Sequence, residues 1–188
     1  LGDVYKRQAL SSANIKSIAP KSGGNRLIWD MRYPGFVSFD GMVFYSSPNT
    51  GPKVTPGKYN VRLTYNNEKH NQEFEIVKDP RVSNSDEDYK KQLDFLLKVR
   101  DEVSRANKVI IDIRKIKSDL DFLMEKVSDK VQIIDLIKKY KSDLDIIENN
   151  IHMTKNQSRQ DPLNYGIRIN NRIAFLLADS QSCLLYTS

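Results

Sequence analysis

The hydrophobic period of this sequence changes at its middle. Over residues 24–77 apolar and polar positions alternate. "KYNVRLTY" sets Tyr59, Val61, Leu63 and Tyr65 against Lys58, Asn60, Arg62 and Thr64. "QEFEIV" sets Phe74 and Ile76 against Glu73 and Glu75. Such alternation describes strands with one buried face and one wet face. The polar link "NNEKHN" suits a hairpin turn. Upstream, "RLIWDMR" alternates Leu27, Trp29 and Met31 with Ile28, Asp30 and Arg32, and "MVFY" is a further short strand candidate. Pro34-Gly35, Gly51-Pro52 and Pro56-Gly57 punctuate these runs. Several short strands with frequent turns predict a small antiparallel β-sandwich, with Trp29 in its core.

After "VKDPRVSNS" the period becomes helical. Ser85 followed three residues later by Asp88 reads as a capping box, and Asp86 and Glu87 suit the positive end of a helix dipole. Leu96, Val103, Ile110 and Met124 fall at seven-residue multiples, with Ala106, Ile113, Leu120 and Val127 at the matching positions. Lys117 is the one polar residue on the first stripe. Val109, Ile116 and Leu123 widen it, as for a helix touching more than one neighbour. Ser128–Lys130 interrupts the pattern. A second helix then turns Ile133, Ile137, Tyr140, Leu144, Ile147 and Ile151 inward. A third, shorter one over 168–178 has Ile169, Ile173, Leu176 and Leu177 as its apolar side. A helical hairpin or three-helix bundle buries these stripes most simply.

The two ends obey neither pattern. "LGDVYKRQ" and "CLLYTS" match the translation of a transposon sequencing adapter, so residues 1–8 and 183–188 read as artefact and 9–23 as a linker or truncated start. Cys183, the one cysteine of the 188 residues, falls in the second of these, which removes thiol chemistry from the remainder. The formal net charge is +6, of which Asp3, Lys6 and Arg7 contribute +1. Lys and Arg are mixed with Asp and Glu along both long helices, so the mild basic excess makes no nucleic-acid footprint. No apolar run reaches the length of a membrane span.

Candidate chemistry is thin. His70, in the expected turn, and His152, near a helix end, have no metal-ligand spacing to a second His, Cys or carboxylate and read as surface residues. No P-loop, G-x-G-x-x-G, G-x-S-x-G or H-E-x-x-H occurs. Asp119/Asp121 and Asp143/Asp145 interleave with lysines as solvated helix faces, since residues two apart on a helix do not face each other. No catalytic, cofactor-binding or metal-binding residue is therefore assigned. Among the clustered aromatics, Tyr33 and Tyr45 are the two candidates for carbohydrate contact, because a phenol can lie at a surface with its ring half-buried.

"GGNRLIWDMRYPG", "GPKVTPGKYNVRLTY" and "EFEIVKDPRV" together resemble the C-terminal region of large bacterial sortilin-like or BNR-repeat propeller proteins, often labelled glycosyl hydrolase and common in Bacteroidota. "QDPLNYGIRINNRIAFL" is similar to that family's closing helix, and the P-G-x-Y-x-V segment to Ig-like domains. The Asp-box pattern of the propeller itself is not found in this sequence. The resemblance implies an exported protein, with upstream propeller domains as this region's first partner and another protein or a polysaccharide as a second. The expected architecture is β then α: an Ig-like or fibronectin-III-like sandwich over 24–80, then a helical bundle over 81–182. The expected function is a non-catalytic accessory or interaction region. A tail contributing to a glycoside hydrolase's sugar site and a free-standing helical interaction module are the alternatives.

Overall fold

Asn66 and Asn67 decide the sheet. Both adopt left-handed backbone (φ 47° and 67°), which a two-residue hairpin turn of the twisted type requires. They join β1 (Gly57–Tyr65) to β2 (Glu68–Ile76), antiparallel and in continuous register from Tyr65↔Glu68 to Gly57↔Ile76. The turn is thus two residues long, and His70 lies within β2 opposite Leu63. The helices follow: α1 (Asp86–Lys126), α2 (Val131–Ile151), the single turn α3 (Pro162–Tyr165) and α4 (Ile169–Cys183). The computed structural model describes residue 19 and residues 21–183, and the adapter-like residues 1–8 and 184–188 lie outside it.

The described chain forms two compact units. One takes the residues up to Pro34, Thr50–Leu97 and the chain from Gln181; the other takes Gly35–Asn49 and Lys98–Ser180. In the first, Trp29 stands edge-on to Phe74 and tilted against Tyr59, both at 6.1 Å, and its indole N–H donates to the Arg32 carbonyl. Beside it the chain runs briefly antiparallel to itself: the Tyr33 N–H donates to the Pro52 carbonyl and the Val54 N–H to the Met31 carbonyl. Gly51 permits this approach, because a Cβ there would fall 1.8 Å from the Tyr33 carbonyl oxygen. Asp79 accepts from the backbone and guanidinium of Arg81, tightening the turn that leads to α1. The capping box forms as expected: the Asp88 N–H donates to Ser85 Oγ, and the Ser85 N–H to Asp88 Oδ2.

The sheet stops at two strands, and the expected sandwich is not formed among the described residues. "RLIWDMR" ends in a single bridge, Arg32↔Lys53, and 42–45 pairs with no strand. The backbone explains both. Met31 and Ser46 take positive φ (56° and 48°), and Pro34, Pro48 and Pro52 have no N–H to give a ladder. The alternating face of the hairpin is consequently open: Val61, Leu63 and Tyr65 are each more than half exposed. Trp29 is half-buried rather than enclosed.

In the second unit α1 buries Val103, Ile110 and Ile113, and α2 buries Ile137. The break between the helices falls at 127–130, yet Lys130 precedes α2 with no side-chain cap. Two expected faces are shifted. On α4 Leu177 is buried, but Asn170, Asn171 and Ala174 share its side while Ile169 and Leu176 face solvent. On α2 Ile133, Tyr140 and Ile147 are exposed, not inward. No described helix is long and apolar enough to cross a membrane.

Candidate functional site

The second unit is organised by polar side chains that hold the segment Gly35–Asn49 by its backbone. From α1, Asn107 Nδ2 donates to the Val37 carbonyl (2.7 Å), and Ser104 Oγ accepts the Val37 N–H (3.1 Å). Arg114 Nη1 reaches the Asp40 carbonyl (2.7 Å). From α4, Asn171 Oδ1 accepts the Tyr45 N–H (2.8 Å) while its Nδ2 donates to the Tyr45 carbonyl (3.1 Å). One side-chain amide thereby meets both polar groups of one residue, as a neighbouring strand would. This is why Tyr45 needs no strand partner.

Asn170, fully buried, sits at the centre. Its Oδ1 accepts the Asn171 N–H (2.8 Å), and its Nδ2 donates to Asn107 Oδ1 (3.0 Å) and approaches His152 Nδ1 (3.2 Å). Two backbone groups of unambiguous character fix the chain of roles. The Asn171 N–H can only donate and the Val37 carbonyl can only accept, so both amide orientations follow. His152 Nδ1 is then an acceptor, and the neutral imidazole carries its proton on Nε2.

His152 is 2% exposed, which corrects its reading as a surface residue. It follows the last turn of α2, where its N–H donates to the Glu148 carbonyl (2.8 Å). Its ring meets Phe39 edge-on at 4.9 Å, and the Arg114 guanidinium lies 4.7 Å over the other part of that stack, the Phe39 ring. Burial first, and the Arg114 charge second, hold the imidazole pKa below its ordinary value. His70, by contrast, is exposed beside Glu68.

Along α1 and α2 the ion pairs share one register. Arg114 bonds Glu148 (2.8 Å), Lys117 bonds Asp145 and Glu148, and Lys141 bonds Asp121. Burial works to raise the pKa of Glu148, but the bonds from Arg114 and Lys117 outweigh it and keep the carboxylate ionised below its usual range. Asp145 and then Glu148 hold Lys117 above its ordinary value.

The groups of this cluster are spent on one another and on the backbone of 37–45, so the arrangement fixes a conformation and holds a neutral imidazole. Among the described residues Asn156 Oδ1 is the buried side-chain oxygen left without a hydrogen-bond partner, and no group of three or more His, Cys, Asp or Glu is placed to hold a metal ion. A cleft of about 580 Å³ opens between 42–49 and 157–159, lined by Phe44, Ser46, Asn49, Gln157 and Arg159 among others.

The two tyrosines singled out by sequence fall in different units. Tyr33 is buried, and Tyr45 is exposed with its backbone in the grip of Asn171. What sequence reading missed is the asparagine set. Asn107 shares the face of Val103 and Ile110 at helical spacing, which was the available signal. Asn170 and Asn171 interrupt the apolar side of α4 and offered none. Comparison with protein-family models, with curated proteins and with solved structures finds no match to this chain.

Proposed function

We propose that the chain is a non-catalytic accessory and interaction region of a larger, exported, sortilin-like propeller protein. The observation that carries the interaction reading is exposure in rows. In one unit Val61, Leu63 and Tyr65 stand open along β1; in the other, apolar residues recur every seven positions along α1 and α2. Contiguous exposed apolar surface marks a contact waiting for its partner. The propeller and the export rest on the sequence resemblance. An Ig-like sandwich belongs to the same proposal, with β1 and β2 as two of its strands, because an isolated two-stranded hairpin is marginal in water.

The test uses the chain and the propeller encoded upstream of it, produced separately and mixed in a calorimeter. Saturable binding is expected, together with no turnover of a glycoside panel by the chain alone. Hydrolysis by the chain, or no binding to the propeller, overturns the proposal. Loss of a parent glycosidase activity on Tyr45→Ala, with the fold intact, transfers support to the sugar-site reading.

A further inference from the structure

The two edges of the α1–α2 seam are chemically opposite. Ion pairs step three and four residues up α1 (Arg114, Lys117, Asp121) as they step three and four down α2 (Glu148, Asp145, Lys141). These residues lie about 60° to 120° round α1 from Leu120, which stands with the buried Ile113 on the seam. Val109, Ile116 and Leu123 lie about 20° to 60° round in the other sense. On α2, Ile133, Tyr140 and Ile147 bear the same relation to Leu144, opposite in sense to Lys141, Asp145 and Glu148. By the register of the ion pairs, Ile116 is level with Ile147 and Leu123 with Tyr140. The six residues are 39–54% exposed. Each helix thus carries an apolar row about 21 Å long, and the two rows, offset by about seven residues, run side by side over about 10 Å at Ile116, Leu123, Tyr140 and Ile147.

The rim of the row names the partner's charge. Positions three after one stripe residue and four before the next are Asp112 and Asp119 on α1, and Leu136 and Asp143 on α2. None is basic. The acids of the opposite edge, Asp121, Asp145 and Glu148, are all ion-paired, whereas Asp112, Asp119 and Asp143 enter no ion pair among the described residues. Lys108, Lys115 and Lys139 stand four residues before these acids, the weaker orientation for a helical pair. Seven-residue spacing on both helices fits a third helix laid along the seam.

We propose that this edge of the helical hairpin receives an amphipathic helix of a partner protein, with an apolar stripe flanked by lysine or arginine. The inference rests on the interaction reading above and is independent of the propeller.

The test is fluorescence anisotropy of the full chain with two labelled 18-residue peptides sharing one heptad stripe of leucines, one flanked by lysine and one by glutamate. The lysine peptide is expected to bind saturably and gain helical circular dichroism, and the glutamate peptide to bind about tenfold more weakly or not at all. Asp112→Lys with Asp119→Lys and Asp143→Lys should reverse the preference. Ile116→Ser with Tyr140→Ser should abolish binding of either, at exposed positions where the far-ultraviolet spectrum is unchanged. Should that pair disturb the spectrum, the charge reversal alone decides. Equal binding of both peptides, binding indifferent to these substitutions, or sedimentation as a dimer that Ile116→Ser dissolves, overturns the proposal, the last by giving the row to a second copy. Peptide binding without propeller binding defeats only the propeller, and the converse defeats only this surface.

Discussion

The β1–β2 hairpin and the segment Gly35–Asn49 are the two aromatic-rich regions outside the helices, and they are held in opposite ways. The hairpin has a complete backbone ladder and little covering its apolar face beyond Trp29. The segment has no strand, yet its main chain is met by Asn107, Ser104, Arg114 and Asn171, and Phe36 is buried. Regular hydrogen bonding and burial are thus separable. A ladder satisfies the backbone but leaves stability to whatever packs on it; side-chain amides satisfy a backbone that is already packed. Damage to the second arrangement should cost more, since each lost partner strands a buried group.

The sharpest break is at the centre of the amide chain. Asn170→Leu leaves Asn107 Oδ1, the Asn171 N–H and His152 Nδ1 without a partner at once. A loss of about 4 kcal/mol in urea-induced unfolding is expected, at roughly 1–3 kcal/mol per stranded group with some relaxation. A loss below 1 kcal/mol would show that the chain is not cooperative.

Next comes Lys117→Leu. On the apolar stripe of α1 a leucine would ordinarily stabilise; with Asp145 and Glu148 on the Lys117 ammonium, the substitution should instead destabilise by about 1–2 kcal/mol, discounted for solvent access. Trp29→Ala tests the other region. With its ring half-buried on Tyr59 and Phe74, a loss of about 1–2 kcal/mol is expected, below the range of roughly 3–5 for an enclosed aromatic. Calorimetric melting of both variants against the parent checks the order.

The pH dependence is smaller and specific to the amide-held region. A folded His152 with a lowered pKa means the unfolded chain binds the proton more readily. The associated stability is complete above pH 6.5 and falls as pH drops toward the folded value, because a protonated Nδ1 can no longer accept from Asn170. Arg114 and Glu148 face the same ring, one opposing and one favouring its charge. His152→Gln should flatten the stability profile between pH 6.5 and about 5, above the range where Glu148 itself is protonated. An unchanged slope there would remove His152 from the explanation. Smallest of all, Leu63→Thr on the open hairpin face should shift stability by no more than about 0.5 kcal/mol, measured by the same melts.

These contrasts track what the sequence made legible. Local rules were readable: strand alternation in β1 and β2, the Ser85/Asp88 box, the seven-residue stripe of α1 and its end near 127. Readings failed where a long-range partner overrode a local pattern. The alternation of Leu27, Trp29 and Met31 is too short to impose a strand against the positive φ of Met31 and the prolines nearby. His152 has no neighbouring ligand in sequence because its partner, Asn170, arrives from another helix. The breadth of the apolar stripe on α1 was legible as a demand for a further neighbour, and the described residues leave that demand unmet at Ile116 and Leu123; on α2 the inward reading of Tyr140 and Ile147 failed, and they stand exposed.

Asn171's hold on Tyr45 has a consequence for engineering. It reads the N–H and carbonyl of residue 45, which every amino acid but proline supplies, and is indifferent to the side chain there. The same holds at Val37 and Asp40, where main-chain atoms are the ones gripped. A loop fastened this way is a socket for grafting: its outward residues can be rewritten while the fastening stays in the helices. A library randomised at Ser38, Asp40 and Tyr45, whose side chains are exposed, should therefore keep a far larger share of folded members than one randomised at Asn107, Asn170 and Asn171.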